Sequence, residues 1–333
     1  MDSTPREVVK PEVRFIIRAD ASTHIGTGHV LRCLTIAEEL RARNLRVEFV
    51  GSVVGREWVT RRIEELGIRI FSPESDKFES SPFYDVLILD SYHLSAGDMF
   101  IQPRNWKNIV CLADLATPPY MADLYISMSP EIQGEVTRQG KTLVGKDYLL
   151  VRKSFREIRG TLKVPNDASP HVIITGGGSD ATGFCKASFE ILTKSDQDFK
   201  AFIFTDSMFD VSNDSRFEIL PIGTKLDQHL GMADLFLSAA GVSAWEFLTC
   251  GGALGVVKSV ENQSQNYSML TQNSWGIGLG KFSTSNGWHL DVEAFEALIS
   301  NPNIRKELYL KTRKIFDGKG AIRVVDEILS LLS

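Results

Sequence analysis

Short apolar runs alternate with helical stretches along this chain, and the alternation occurs twice. Val13 to Ile17, Arg46 to Val50, Asp85 to Asp90 and Asn108 to Leu112 read as parallel strands, because buried parallel strands are near-continuous apolar runs. A helix from about Val30 to Ala42 lies between the first two, with Val30, Cys33, Leu34, Ala37 and Leu40 on one stripe. The second series has strands near His171 to Thr175, Ala201 to Phe204, Asp234 to Ser238 and Ala253 to Val257. Helices follow from about Asn303 to Phe316 and from Ala321 to Leu332. Units of this kind predict an α/β fold: two Rossmann-like, doubly wound domains facing a cleft, with functional loops at the carboxyl ends of their strands. A polar stretch with Gly160, Pro165, Asn166 and Pro170 interrupts the pattern. The expected division is a first domain over 1–155 carrying a catalytic loop, a linker over 156–170, and a nucleotide-binding domain over 171–333. No internal sequence repeat is evident.

The 333 residues are enough for two cores, and 43% hydrophobic with 24% charged residues is ordinary globular composition. A net charge of -5 without a basic stripe argues against nucleic acid. The apolar runs are strand-length and far short of a membrane span. Met1 to Glu12 is polar and lacks a signal-peptide core, so a cytoplasmic protein with no membrane insertion is expected, as a monomer or weak dimer. Cys33, Cys111, Cys185 and Cys250 are widely spaced and read as buried thiols.

Chemistry is concentrated in the loops. The first, Arg18-Ala-Asp20 through Gly26-Thr-Gly28-His29-Val-Leu-Arg32, has two glycines that allow a tight turn and close approach to a ligand. His29 falls in the first turn of a helix, where the dipole favours a neutral imidazole fit to act as base, and a carboxylate such as Asp20 could orient its other nitrogen. The alternative is that the glycines only turn the chain and His29 caps it. Leu31 stands where a dinucleotide fingerprint needs its third glycine. Asp90-Ser91-Tyr92-His93 and Leu112-Ala-Asp114 also follow strands. Tyr92 could donate a hydrogen bond or steady a water and Asp90 could anchor its loop, or each could be structural. His24 and His93 read as surface or supporting residues.

In the second half, Gly176-Gly177-Gly178-Ser179-Asp180 joins a strand to a helix. Such a turn offers backbone N–H groups to phosphate, and the helix N-terminus adds favourable electrostatics. The Gly-Lys-Ser/Thr of a triphosphate-hydrolysing loop is missing. Ala240-Gly241-Val242-Ser243 precedes Glu246. Ser243 and Glu246 have capping-box spacing, and the functional alternative sets the Glu246 carboxylate on ribose hydroxyls. Glu261-Asn262-Gln263 opens a further helix, either as a polar first turn or as a contact to a sugar across the cleft.

The loop Gly26-Thr-Gly28-His29-Val-Leu-Arg32 resembles the Gly-x-Gly-His-x-x-Arg signature of the UDP-sugar hydrolases of pseudaminic acid biosynthesis. Those enzymes release UDP from UDP-2,4-diacetamido-2,4,6-trideoxy-β-L-altropyranose. Spore-coat polysaccharide proteins share the signature, as does, more distantly, the lipid II glucosaminyltransferase class. The resemblance continues through Asp90-Ser-Tyr92, Asp114, Leu143-Val-Gly145-x-x-Tyr148-x-Leu150-x-Arg152, Gly176 to Asp180, Glu246, Glu261-Asn-Gln263 and Asp317-Gly-Lys-Gly320-Ala-x-Arg323. Two departures stand out. Ala240-Gly241-Val242-Ser243 replaces a Gly-Gly-Ser-Thr type of turn, and Ala113-Asp114 replaces paired aspartates.

The resemblance implies a GT-B-like pair of Rossmann domains. It casts His29 as base for water, Tyr92 as its assistant and Asn262 as a lining residue of the sugar site, and it sets Gly177, Ser179 and Glu246 on UDP. The implied reaction is hydrolysis of a UDP-linked deoxy-amino sugar, with no metal and no cofactor beyond the UDP of the substrate. A glycosyltransferase using the same donor site, or a non-catalytic nucleotide-sugar-binding module, are the alternatives.

Overall fold

A computed structural model describes residues 13–332, apart from 23–24, 76–77, 84, 96, 115–116, 129–139, 160–163, 165–168 and 224–225. The first lobe is built on β1 (Arg14–Ala19), β2 (Arg46–Val50), β3 (Arg69–Phe71), β4 (Asp85–Asp90), β5 (Asn108–Leu112), β6 (Leu124–Ser127) and β7 (Lys141–Val144). They form one parallel sheet in the order β3-β2-β1-β4-β5-β6-β7. Helices α1 (Gly28–Ala42) and α2 (Glu57–Glu65) cover one face. Phe71, Phe78, Phe100, Trp106 and Tyr125 fill the other. Burial on both faces is why β1 and β4 are apolar without alternation.

The second lobe repeats this winding with an unrelated sequence. Strands β8 (His171–Thr175), β9 (Lys200–Phe204), β10 (Phe217–Leu220), β11 (Leu235–Ala239), β12 (Ala253–Lys258), β13 (Ile277–Ser283) and β14 (Gly287–Leu290) take the order β10-β9-β8-β11-β12-β13-β14. Among the described residues of this sheet, only the final β13–β14 pairing is antiparallel. Its helices are α4 (Phe184–Leu192), α5 (Asp227–Leu230), α6 (Val242–Cys250), α7 (Ser264–Gln272), α8 (Val292–Ser300) and α9 (Pro302–Ile315). Sheet order reverses between β1 and β4 and again between β8 and β11. Crevices at such switch points are where doubly wound sheets bind ligands, and all four strands deliver their C-terminal loops there.

The expected strands are present, together with short ones the sequence reading did not assign: β3, β6, β7 and β10 have three or four residues each. All four cysteines are buried thiols. No helix among the described residues is long and apolar enough to cross a membrane.

The chain crosses between lobes twice. Leu149, Val151 and Phe155, the last on α3 (Lys153–Ile158), belong to a second-lobe core, while Leu150 belongs to the first. Of the polar stretch expected as linker, Gly160, Pro165 and Asn166 lie outside the described residues. At the other end, α10 (Gly320–Ser330), expected with the second domain, returns to the first: Ala321, Val324, Val325 and Ile328 pack with α1. An apolar stripe on a terminal helix buries wherever a complementary face is open, and here that face is on the other lobe. Ile328→Ala should therefore cost about 2–5 kcal/mol in urea unfolding, with faster amide exchange in β1 and β4 than in β8 and β11. A loss below about 1 kcal/mol would remove α10 from the first-lobe core.

Candidate active site

The parallel register sets Ala19 at the end of β1 beside Asp90 at the end of β4. The chain leaves β1, turns at Gly26 with φ of 80°, and enters α1 at Gly28, which brings His29 over Asp90. His29 Nδ1 lies 2.6 Å from Asp90 Oδ1, with His29 8% exposed and Asp90 1% exposed. One turn further along α1, Arg32 grips the same carboxylate with Nε and with Nη2 at 2.7 Å, and reaches Asp114 Oδ2 at 3.3 Å. Burial alone pushes the Asp90 carboxyl up, but Arg32 and His29 beside it reverse this and hold it at about 2. An ionised carboxylate only accepts hydrogen bonds, so His29 Nδ1 donates to it, with Arg32 Nη2 3.2 Å from the same nitrogen, and Nε2 is the ring nitrogen not engaged by Asp90.

Tyr92 closes the ring of contacts. Its hydroxyl donates to Asp114 Oδ2, and its ring meets His29 edge-on with centroids 4.4 Å apart. Burial pushes the phenol well up, with Asp114 adding to it, so the hydroxyl remains a donor. The Tyr92 hydroxyl is therefore committed to Asp114, and its ring is what supports the imidazole.

Across the cleft, the glycine-rich turn touches the first loop directly. A Cβ on Gly178 would lie 1.8 Å from the Thr27 hydroxyl oxygen, so no larger residue lets the loops meet. Asp180, at φ of 44°, folds its carboxylate back against Gly176 and accepts from Cys185 N and Thr205 Oγ1. Cys185 is in the first turn of α4, so that N-terminus is already occupied by a carboxylate. This corrects the expectation that α4 would serve a phosphate. The helix end that faces the cleft belongs to α6, capped by Gly241 without a side-chain hydrogen bond. Val242 of α6 faces Gly28 of α1 across the gap.

Three connected cavities result. The central one, about 420 Å³, is lined by Gly26, Gly28, His29, Arg32, Tyr92 and Asp114 on one side. Gly176, Gly177, Gly178, Ser179, Ala240, Gly241, Ser243, Asn262 and Gln263 line the other. A second, about 360 Å³, shares Gly177, Gly178 and Ser243 and extends over Trp58, Arg61, Arg152, Phe204 and Ile222. A third, about 420 Å³, shares Arg32, Asp114, Met128, Asn262 and Asn266 and has apolar walls from Leu112, Ile126 and Leu150.

Several expected residues sit elsewhere. Asp20 does not orient His29. Its carboxylate pairs with Arg18 at 2.7 Å and accepts from Ser52 N at 2.8 Å, on the β2 side of β1, whereas the imidazole faces the β4 side. Neither Arg18 nor Asp20 lines any of the three cavities. The capping box of Ser243 and Glu246 does not form, because Gly241 is the cap and Ser243 already lies inside α6. Nor is Glu246 presented to the cleft: it is 1% exposed and both its oxygens are held by Arg152, through Nε and through Nη2 at 2.6 Å. Glu261 is exposed, paired with Lys258 at 2.8 Å and accepting from Ser264 Oγ at 2.7 Å, at the rim of the apolar cavity. Gln263 accepts from Ser259 N at 3.0 Å, so its carbonyl shapes the loop. His93 is exposed, and His24 lies outside the described residues.

Three residues of the site escaped the sequence reading. Thr27 makes the interlobe contact, Asn266 donates to the Ala240 carbonyl at 3.1 Å, and Arg152 holds Glu246. Only Arg152 carried a signal, as the last residue of a matched motif.

No family model matches the chain. It is similar to the spore coat polysaccharide biosynthesis protein SpsG of Bacillus subtilis, 25% identical over 344 aligned residues that cover 92% of this chain and 95% of SpsG. It is also similar to an uncharacterized protein of Methanocaldococcus jannaschii, 25% identical over 287 residues, 77% of this chain but only 57% of that protein. The chain thus spans little more than half the length of the archaeal relative. Among solved structures, Acinetobacter baumannii MurG matches 96% of this chain and 100% of its own with a TM-score of 0.64 at 16% identity. The paired parallel sheets with their covering helices are therefore the Rossmann-like α/β arrangement of the GT-B glycosyltransferases.

Proposed function

We propose that this protein hydrolyses a nucleoside-diphosphate sugar, with UDP as the nucleotide and water activated by His29. The observation that carries the reading is the His29–Asp90 pair. A buried, ionised carboxylate fixes Nδ1–H and leaves Nε2 as base where the loops of the two lobes meet. The two cavities that share Gly177, Gly178 and Ser243 suit a ligand with two ends joined by a diphosphate. The sugar lies in the central cavity by His29 and the nucleoside lies in the second. Backbone N–H groups of the glycine-rich turn and the α6 N-terminus hold the diphosphate between them.

In the reaction, a water oxygen attacks the anomeric carbon and gives its proton to His29 Nε2. The bond from that carbon to the diphosphate oxygen breaks, and the electron pair leaves with UDP, whose charge the loop N–H groups stabilise. As imidazolium, His29 is stabilised by Asp90. Asn262, at the rim shared by the central and apolar cavities, contacts the sugar. The Leu112, Ile126 and Leu150 walls suit deoxy and N-acyl substituents. The similarity to SpsG, a spore coat polysaccharide biosynthesis protein, supports a sugar substrate.

A second reading is favoured by the same apolar cavity: a glycosyltransferase whose acceptor enters there, with His29 deprotonating an acceptor hydroxyl. The deciding experiment is UDP release from a panel of UDP-sugars with and without candidate acceptors. Hydrolysis predicts release by water alone. Release that begins only when an acceptor is added would establish the transferase, and a panel silent throughout, with UDP still bound, would leave a binding module.

His29→Ala should lower turnover by about 10²–10⁴-fold while calorimetry shows UDP affinity within about twofold, as the base does not hold the nucleotide. Loss of both together would contradict the assignment. Asp90→Asn should lower turnover similarly and destabilise the fold by about 3–5 kcal/mol, because it removes the nearer of the two carboxylates that hold Arg32 and leaves only Asp114 at 3.3 Å. The acid profile checks the same residue. Its carboxyl is held at about 2, below the ordinary value of about 3.9, so its stabilisation is complete above the ordinary value and is lost as pH falls towards 2. Asp90→Asn should flatten the unfolding curve within that window.

A further inference from the structure

Resting on the nucleotide reading above, we infer that Arg152 is a phosphate-binding residue of this site and that Glu246 acts through it as a positioning residue. The pair joins two distant parts of the chain: Arg152 ends the extended segment between the lobes, and Glu246 lies on α6. The contact is two-pronged, Nε to Oε1 and Nη2 to Oε2, so it fixes the guanidinium in plane as well as in place. The Phe155 ring packs under the guanidinium at 4.4 Å and holds it from one face. Of the two partners, Glu246 lines none of the three cavities. Arg152 lines the second one, together with Leu31, Gly177, Gly178 and Ser243, the residues that this cavity shares with the central cleft.

An arginine built this way is pre-ordered for an anion. Glu246 engages Nε and Nη2, and the guanidinium so held forms part of the wall of the second cavity. The neighbouring α6 N-terminus adds positive potential at the same wall. A phosphate between them meets one charged donor and the backbone N–H groups of the glycine-rich turn. By contrast, Glu246 would reach ribose hydroxyls only by giving up a buried ion pair.

Calorimetry with uridine, UMP and UDP on wild type, Arg152→Lys and Arg152→Ala tests this, with thermal melting confirming that each variant is folded. Loss of a charge-assisted contact is worth about 10- to 100-fold. UMP and UDP affinities should fall by that factor in Arg152→Ala, and less in Arg152→Lys, which keeps the charge but not the fork, while uridine affinity stays within about twofold. Equal weakening of uridine and UDP would overturn the assignment and make Arg152 a structural residue.

Glu246→Gln, measured with UDP and 2′-deoxy-UDP, separates the alternatives for the carboxylate. Acting through Arg152, it should change both affinities by the same factor. A change confined to UDP would put Glu246 on the ribose. If wild type binds none of the three uridine compounds, the UDP reading itself falls, a result distinct from any behaviour of the variants.

Discussion

A single buried carboxylate organises the first lobe's share of the cleft. Asp90 sits at the end of a central strand with almost no access to water, where an unpaired charge would cost several kcal/mol. Its oxygens are met by Arg32 and His29, both from the first turns of α1. That requirement fixes how α1 starts relative to β4. It also fixes which nitrogen of His29 carries its proton, and it holds Arg32 where it can reach Asp114. Tyr92 then follows from Asp114. This chain of contacts runs from desolvation to geometry, and it sets where the imidazole sits.

The second lobe solves a different problem with backbone in place of side chains. Its glycine-rich turn is wound tightly around the Asp180 carboxylate, which uses up the start of α4. The anion-attracting helix end is left to α6, two strands away in the sheet order from β9 and directly after β11. Glycine at 178 is required by contact with Thr27 of the other lobe, so this one position sets the fit between lobes. The site is thus a joint product of two sheets that have the same winding but contribute unlike chemistry.

The central strands were legible because burial on both faces leaves an uninterrupted apolar run, as in Asp85 to Asp90. Strands such as β3 and β10 were not, since three or four residues with exposed members carry no periodicity. His29, Arg32, Asp90, Tyr92 and Asp114 could all be picked out as strand-end or helix-start residues. Their partners could not, because whether Asp20 or Asp90 meets His29 depends on which strand lies next to β1 on that side, and sheet order is not written locally. Glu246 shows the same limit. Its spacing from Ser243 fits a local cap, but Gly241 starts the helix earlier and the true partner lies 94 residues away in sequence. The placement of α10 was likewise a matter of which apolar face was vacant, invisible from its own amphipathic pattern.

The segment Leu149-Leu150-Val151 sends alternate side chains into opposite lobes. An extended chain does this naturally, since successive side chains point to opposite sides. Any swing of one lobe away from the other would expose these residues to water unless the axis of rotation runs along the segment itself. The strap therefore couples the two cores: Leu150 cannot leave the first without drawing on Leu149 and Val151 in the second. Arg152 is the next residue in the chain. The cavity wall that Arg152 forms is thus tied within one residue to a segment anchored in both cores.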